Sequence, residues 1–420
     1  MKYNVIVIGA GAAGLFAAGE IADKGLSVCL LEKKTRPAIK LSITGKGRCN
    51  ITNSADVREF VENFGNNGKF LYSAFSKFFN TDTIKFFEEL GVQFRLERGG
   101  RYFPESNDAH EIVNALIKYA KIKGVKIFTN SEVSKIVCNG NKIENVLLKN
   151  GNTFCADKYI LATGGKSYPL TGSTGDGYIF AKNLGHKIVP PQPALVPIVL
   201  KSSYLKLLNK LKLKNVEVSV FANNKQVQTY FGEMEFTIFG ATGPIILTMS
   251  SLIYDLINIQ KKSVTVKINL KPALDDKTLD TRLVRELNSF GNLPLRTMLK
   301  TLLPQQLIDV FMKENNFKHT EICSNINKDK RQKIFNGLRN LTFQVISTRP
   351  IDEAIITKGG ISINEVEQNT MKSKLIENLY FCGEILDIDG PTGGFNLQAA
   401  FSTAYLAAQS IINTFKNNTI

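Results

Sequence analysis

Three glycines, Gly9, Gly11 and Gly14, follow the apolar run Val5 to Ile8, and Glu32 comes about twenty residues later. These types and spacings suit a dinucleotide. The first glycine permits a tight turn, the second lets a pyrophosphate approach the backbone, and the third lets the next helix pack closely on the sheet. A helix starting near Ala12 then points free N–H groups and its positive dipole end at the phosphates. Glu32 closes a second short strand, Leu26 to Leu31, where a carboxylate accepts hydrogen bonds from ribose hydroxyls; an acid at this place favours FAD or NAD over NADP. Ala13 and Lys33 adjoin these positions and belong to the expected contact set.

An FAD protein must also fix the ribitol and the isoalloxazine, so contacts are needed from beyond one βαβ unit. Three segments offer them. In "TGKGRCNITN", residues 44 to 53, Gly45 and Gly47 allow close backbone approach, while Lys40, Lys46 and Arg48 can neutralise a pyrophosphate or a reduced flavin. Thr44, Cys49 and Asn50 complete the contacts expected there. The segment is not a Walker motif, because Lys46 is followed by glycine rather than Ser or Thr. Arg48 beside Cys49 would lower a thiol pKa, but Cys49 has no second cysteine nearby, and a small residue packed against the cofactor is the preferred reading.

The second segment runs from 157 to 186. An apolar strand leads into Ala162, Thr163, Gly164 and Gly165, where the chain passes the cofactor, and Asp176 stands near a helix start, either as a cap or as a functional acid. The third, 378 to 411, places Gly383 and Glu384 after a short strand, then the run GPTGGFN, then an Ala-rich helix from about Asn396. Glu384 is placed for ribitol hydroxyls. The amides of Gly393, Gly394, Phe395 and Asn396, with Leu397 behind them, face the flavin C2 carbonyl, where a positive dipole stabilises the charge that develops on reduction. Val133 completes the cofactor set.

The elements that must position these residues are those of an α/β chain. At 420 residues, with 43% hydrophobic and 21% charged residues, two or three domains and a sizeable core are available. The formal charge of +16 favours anionic partners such as nucleotides or RNA, although the cations are scattered rather than run together. Six separated cysteines without a CxxC pair point to a reduced, cytoplasmic protein with no disulfide or zinc framework, and three distant histidines argue against a metal site. No apolar run approaches the roughly 20 residues that span a bilayer. The opening stretch is read as a folded βα unit and not as a signal peptide, because Glu20 and Asp23 continue its helix.

With these segments in view, the chain resembles the bile-acid-inducible N type family of bacterial flavoproteins, described as NAD(P)/FAD-dependent oxidoreductases. The landmarks are GAGAAG at 9–14, TGKGRCNITN at 44–53, RYFP at 101–104, ATGG at 162–165, GEMEFTIFGATGPIILTMS at 232–250, TKGGI at 357–361 and GEILDIDGPTGGFNLQAAFSTA at 383–404. The family more often has GGGRCN, so Lys46 is an added cation outside its pattern. The resemblance implies a glutathione-reductase-like FAD domain interrupted by an insert. The STGDG stretch also looks like one in succinate dehydrogenase and fumarate reductase flavoproteins, without their substrate-binding His and Arg constellation.

From Ala194 the pattern changes to alternating strands, and from about Asp276 to Leu341 it becomes helical. The expected organisation is a Rossmann-like FAD domain over 1–193 and 342–420, a β-barrel-like insert over 194–275, and a small helical subdomain over 276–341. The leading functional expectation is an FAD-dependent oxidoreductase passing hydride from NAD(P)H to an organic acceptor, a carbon–carbon double bond by family resemblance. No second GxGxxG is present, so the nicotinamide donor would bind transiently. A flavin-dependent RNA-modifying enzyme, in which the basic charge binds RNA, and a non-enzymatic flavin-binding regulator are the alternatives. Lys201, Lys206, Lys210, Lys212 and Lys214 come nearest to a basic patch, but leucines interleave with them as in an amphipathic segment. Arg101, Tyr102 and Arg349 are candidate substrate contacts.

Overall fold

The apolar run that opens the chain becomes a central strand, as continuous burial on both faces requires. The computed structural model describes residues 2–417. Ten strands precede the insertion: β1 (Lys2–Ile8), β2 (Val28–Leu31), β3 (Thr52–Asn53), β4 (Phe94–Glu97), β5 (Arg101–Pro104), β6 (Lys126–Phe128), β7 (Val133–Asn139), β8 (Lys142–Leu148), β9 (Thr153–Leu161) and β10 (Ile188–Ala194). Within the insertion lie β11 (Ile198–Lys201), β12 (Lys212–Ala222), β13 (Lys225–Phe236), β14 (Gly240–Thr242), β15 (Val264–Asn269) and β16 (Leu341–Thr348). After it come β17 (Ile356–Ile361) and β18 (Leu379–Phe381). Three helices matter for the site: α1 (Ala12–Ala22), α2 (Ala109–Ile122) and α3 (Phe395–Asn417).

The first unit holds the residues up to Ala194 and from Ile351 onward. Its main sheet has the order β6-β2-β1-β9-β8-β7, with β18 added on β9. The pairings of β1 with β2 and β9, of β2 with β6, and of β18 with β9 are parallel, so the loops after these strands gather at one edge, where open α/β sheets bind their ligands. Helix α1 packs against α2 and α3. Phenylalanines fill the space around them: Phe16 meets Phe86 at 4.8 Å and Phe401 at 5.6 Å, both edge-on, a geometry that contributes about 1 kcal/mol per pair beyond burial. A separate antiparallel sheet, β3-β5-β4, carries the RYFP stretch.

The second unit is Leu195–Pro350. Its six strands close into an antiparallel barrel in the order β11-β14-β13-β12-β15-β16. The period of two is visible along β15, where Val264, Val266 and Ile268 are buried and the residues between them are not. Helix Asp276–Phe290 buries Leu279, Leu283 and Leu287, one face at helical spacing, and helix Gln305–Glu314 buries Leu307, Val310 and Phe311. These side chains join the apolar cluster that fills the barrel, so the helices share its core. The return to the first unit comes after Pro350 rather than at 342, because LTFQVIS supplies the strand that pairs with both β11 and β15 and closes the barrel. Among the described residues no helix is long and apolar enough to cross a membrane.

Candidate functional site

The turn between β1 and α1 has the features a phosphate group needs. A Cβ on Gly14 would drive into the carbonyl of Gly9, so only glycine lets α1 start this close to the strand. Beside Gly11 there is instead open space. Gly11 caps α1 without a side-chain hydrogen bond, and no acidic residue stands in the first turn, so the helix's free N–H groups face that space. Glu32 is tied to the same turn, with Oε2 accepting from the Ala10 N–H at 3.1 Å and Oε1 from the Lys34 N–H at 2.8 Å. Burial pushes the Glu32 pKa up, and these two N–H groups oppose the shift. The loop before Val133 runs alongside, Ser131 N–H donating to the Glu32 carbonyl and Asn130 N–H to that of Lys34; Val133 itself is buried at the start of β7.

Three of the cations expected near the cofactor, Lys33, Lys40 and Arg48, have a carboxylate from elsewhere in the chain. Lys33 Nζ lies 2.8 Å from Asp176 and 2.6 Å from Thr174 Oγ1, so Asp176 is a salt-bridge partner; Gly175 takes the cap position of its helix. Lys40 Nζ donates to Glu384 and to Ser167 Oγ, both at 2.7 Å. Arg48 lies 2.5 Å from Glu97, donates to Asn107 at 2.7 Å and stacks 4.0 Å above the Phe103 ring. Lys46 is exposed and left-handed, as is Gly45 before it. Cys49 is also left-handed and is buried, and desolvation pushes its thiol up to about 12. This reverses the lowered pKa expected from Arg48, whose charge faces Glu97, and leaves Cys49 a neutral packing residue at physiological pH.

The third segment returns to the same sheet edge. Glu384 Oε1 accepts from the Thr357 N–H at 2.9 Å, so its carboxylate bridges Lys40 and β17. Gly394 has φ +96°, and its Cα lies so close to the backbone of Thr52 that a side chain there would overlap it. Asn396 uses its amide inside the turn: Nδ2 donates to the Gly390 carbonyl and Oδ1 accepts from the Gly390 N–H, both at 2.8 Å. Phe395 points into the core, 4.6 Å from Phe60. The backbone N–H groups at the start of α3, with Leu397 among them, are what this segment offers a ligand. Thr163 Oγ1 and Asn50 Oδ1 are buried polar atoms without a hydrogen-bond partner in the chain, which fits a bound polar group among Ala162–Gly165 and the TGKGRCN segment.

Two positions beyond the expected set organise the site. Asn53 Nδ2 donates to the carbonyls of both Gly99 and Gly393 at 2.9 Å, and the fully buried Gln398 accepts from Thr52 at 2.6 Å and Thr83 at 2.9 Å. Asn53 closes the stretch "NITN", a polar residue six places beyond Gly47 of the glycine-rich turn, and that is its available signal. A separate trio, Ser373 Oγ 2.9 Å from His186 Nε2 with Glu365 3.3 Å from Nδ1, imitates a nucleophile, base and orienting acid. Ser373 Oγ already accepts from the N–H groups of Leu375 and Ile376, both Ser373 and His186 are buried, and desolvation lowers the His186 pKa, so the trio is a structural network. Of the expected substrate contacts, Arg101 and Tyr102 lie on β5, and Arg349 stacks 4.6 Å from the Phe239 ring. Lys201, Lys206, Lys210, Lys212 and Lys214 are exposed while Leu205, Leu208, Leu211 and Leu213 are buried, an amphipathic segment. Charge is nonetheless uneven: residues 195–350 carry 23 Lys and Arg against 12 Asp and Glu, and the rest of the chain 30 against 25.

The model of the HI0933-like protein Rossmann domain matches residues 3–410. The chain belongs to this family. It is a flavoprotein oxidoreductase of the Rossmann FAD-binding class, which sets aside a non-enzymatic regulator. A ribosomal RNA dihydrouridine synthase of Haemophilus influenzae is 31% identical over 97% of this chain and 98% of that protein. A 3-dehydro-bile acid delta(4,6)-reductase of Clostridium scindens is 28% identical over 96% and 98%. A solved flavocytochrome c3 fumarate reductase, in its open conformation, shares the fold with a TM-score of 0.53 at 17% identity, covering 98% of this chain and 78% of its own.

Proposed function

We propose that this HI0933-like protein is an FAD-dependent reductase that saturates a carbon–carbon double bond, and that its acceptor is a uracil ring in RNA. The observation that carries the choice of RNA is the charge asymmetry: residues 195–350 hold 11 of the 16 net positive charges in well under half of the chain. Both relatives' names describe saturation of a double bond, one in ribosomal RNA and one in a bile acid. A bile acid carries few negative charges and gives no reason for such an excess.

In this reading the Gly9–Gly14 turn and the N-terminus of α1 hold the pyrophosphate, and Glu32 accepts from the ribose. Ala162–Gly165, Thr44–Asn50, and Glu384 with Lys40 line the ribitol, and the first N–H groups of α3 face the ring. Bound FAD would supply the hydride for the double bond, replenished from NAD(P)H. The remaining work falls to the chain: the Lys40–Glu384 pair sets the orientation of its hydrogen-bonding atoms, and the buried Gln398 network fixes the start of α3.

The test is anaerobic. NADH or NADPH should bleach the flavin band of the purified FAD-loaded protein; adding RNA should restore it, and digestion should release uridine that has gained two hydrogens. A reduced flavin that RNA leaves reduced, but a steroid enone reoxidises, would replace RNA by a small unsaturated acceptor.

A further inference from the structure

We propose that the β4–β5 hairpin is a phosphate-binding site for the backbone of a single-stranded RNA, holding the strand beside the GPTGG turn. This inference rests on the reading of the substrate as RNA. The hairpin carries three arginines, Arg95, Arg98 and Arg101, against one carboxylate, Glu97, and Arg48 reaches that carboxylate from the segment before β3. Glu97 is engaged by two arginines at once, Arg48 at 2.5 Å and Arg95 at 2.9 Å. Arg98 and Arg101 flank the turn, and among the described residues neither forms an ion pair. Arg98 is exposed; Arg101 directs its Nε to the Arg98 carbonyl at 2.9 Å, which leaves its two terminal nitrogens for a forked contact with a phosphate.

The turn between them is held by the same residue that holds the proposed flavin end. Asn53 Nδ2 donates to Gly99 in the hairpin turn and to Gly393 in GPTGG, and Ser54 N–H donates to the Gly100 carbonyl at 2.7 Å. One side-chain amide therefore separates the arginine pair from the start of α3. A strand whose phosphate lies on Arg98 and Arg101 presents an adjoining nucleotide to that place, so the hairpin positions the substrate rather than only attracting it.

Binding decides this without turnover. A fluorescein-labelled oligouridylate is titrated by anisotropy, at several salt concentrations, into the FAD-loaded wild type, Arg98→Ala/Arg101→Ala, and a barrel variant, Lys206→Ala/Lys210→Ala/Lys214→Ala. The arginine variant is expected to bind about tenfold more weakly, with a salt dependence shallower by about 1.4 for two lost contacts on a single strand. Arg98→Lys/Arg101→Lys should recover the salt dependence but only part of the affinity, since charge returns without the fork. Wild-type affinity in Arg98→Ala/Arg101→Ala, with binding lost in the barrel variant, would overturn the hairpin site and leave the RNA reading standing. A wild type that ignores oligouridylate would sink the RNA reading; calorimetry with inorganic phosphate then decides the site, kept if the wild type gives heat that Arg98→Ala/Arg101→Ala loses, and abandoned otherwise.

Discussion

The fingerprint loop from Gly9 to Glu32 and the TGKGRCN segment from Thr44 to Asn50 both concentrate glycine and charge, but they use them differently. In the first, the acid is held by N–H groups of Ala10 and Lys34, and the space beside Gly11 is left open. In the second, left-handed turns at Gly45, Lys46 and Cys49 carry Arg48 onto Glu97, Asn107 and the Phe103 ring. The acid of the first loop is met by backbone N–H groups; the cation of the second is met by a carboxylate, an amide and an aromatic ring. Composition alone does not separate a ligand cradle from a scaffold; what the charged atoms already touch does.

Substitutions can sharpen or break this contrast. The largest effect is expected from Gly14→Val, which forces a side chain into the Gly9 carbonyl and should cost on the order of 3 kcal/mol, read as a lower urea midpoint and absent flavin. Next is Glu32→Gln, expected to weaken FAD binding roughly tenfold to a hundredfold, by titration of the stripped protein. Its effect on stability has the opposite sign. Because burial raises the Glu32 pKa, ionisation penalises the folded state as pH rises through that raised value, so the cofactor-free variant should match or exceed the wild type at neutral pH. That advantage should vanish below the ordinary carboxylate pKa.

A smaller effect is expected at Arg48. In a double-mutant cycle with Glu97→Ala, Arg48→Ala should show a coupling of about 0.5 kcal/mol, modest because both side chains are partly exposed, while FAD content holds. Arg48 holds the Glu97 carboxyl below its usual range, so the pair's contribution should persist above that range and fade as pH falls through the lowered value. Loss of FAD from Arg48→Ala as severe as from Glu32→Gln would erase the contrast. The smallest change is expected from Cys49→Ala, with turnover within about twofold of wild type and no iodoacetamide labelling of Cys49 until unfolding.

Sequence legibility followed the range of the interactions. The unit from β1 to Glu32 was readable because strand, turn, helix and acid are neighbours, and the barrel strands because alternation is local. The ion pairs were not: Lys33 meets Asp176 across 143 residues, and Lys40 meets Glu384 across 344. Asp176 reads as much like a cap as a functional acid for that reason, and the raised pKa of Cys49 comes from a burial that its neighbour Arg48 does not reveal. The end of the insertion is not legible in the sequence, because LTFQVIS has the same alternating pattern whether it belongs to the barrel or to the first unit.

The addition of β18 and α3 from the far end of the chain also imposes an order on assembly. During synthesis the first 194 residues must wait, with the Tyr159–Leu161 edge of β9 and the apolar side of α1 uncovered, until the residues from Leu379 onward emerge. The barrel, whose strands and helices are contiguous in sequence, can close meanwhile. Cofactor loading that needs Glu384 and the GPTGG turn is then a post-translational event, and a chain truncated before Leu379 would display a folded barrel on a first unit unable to retain flavin.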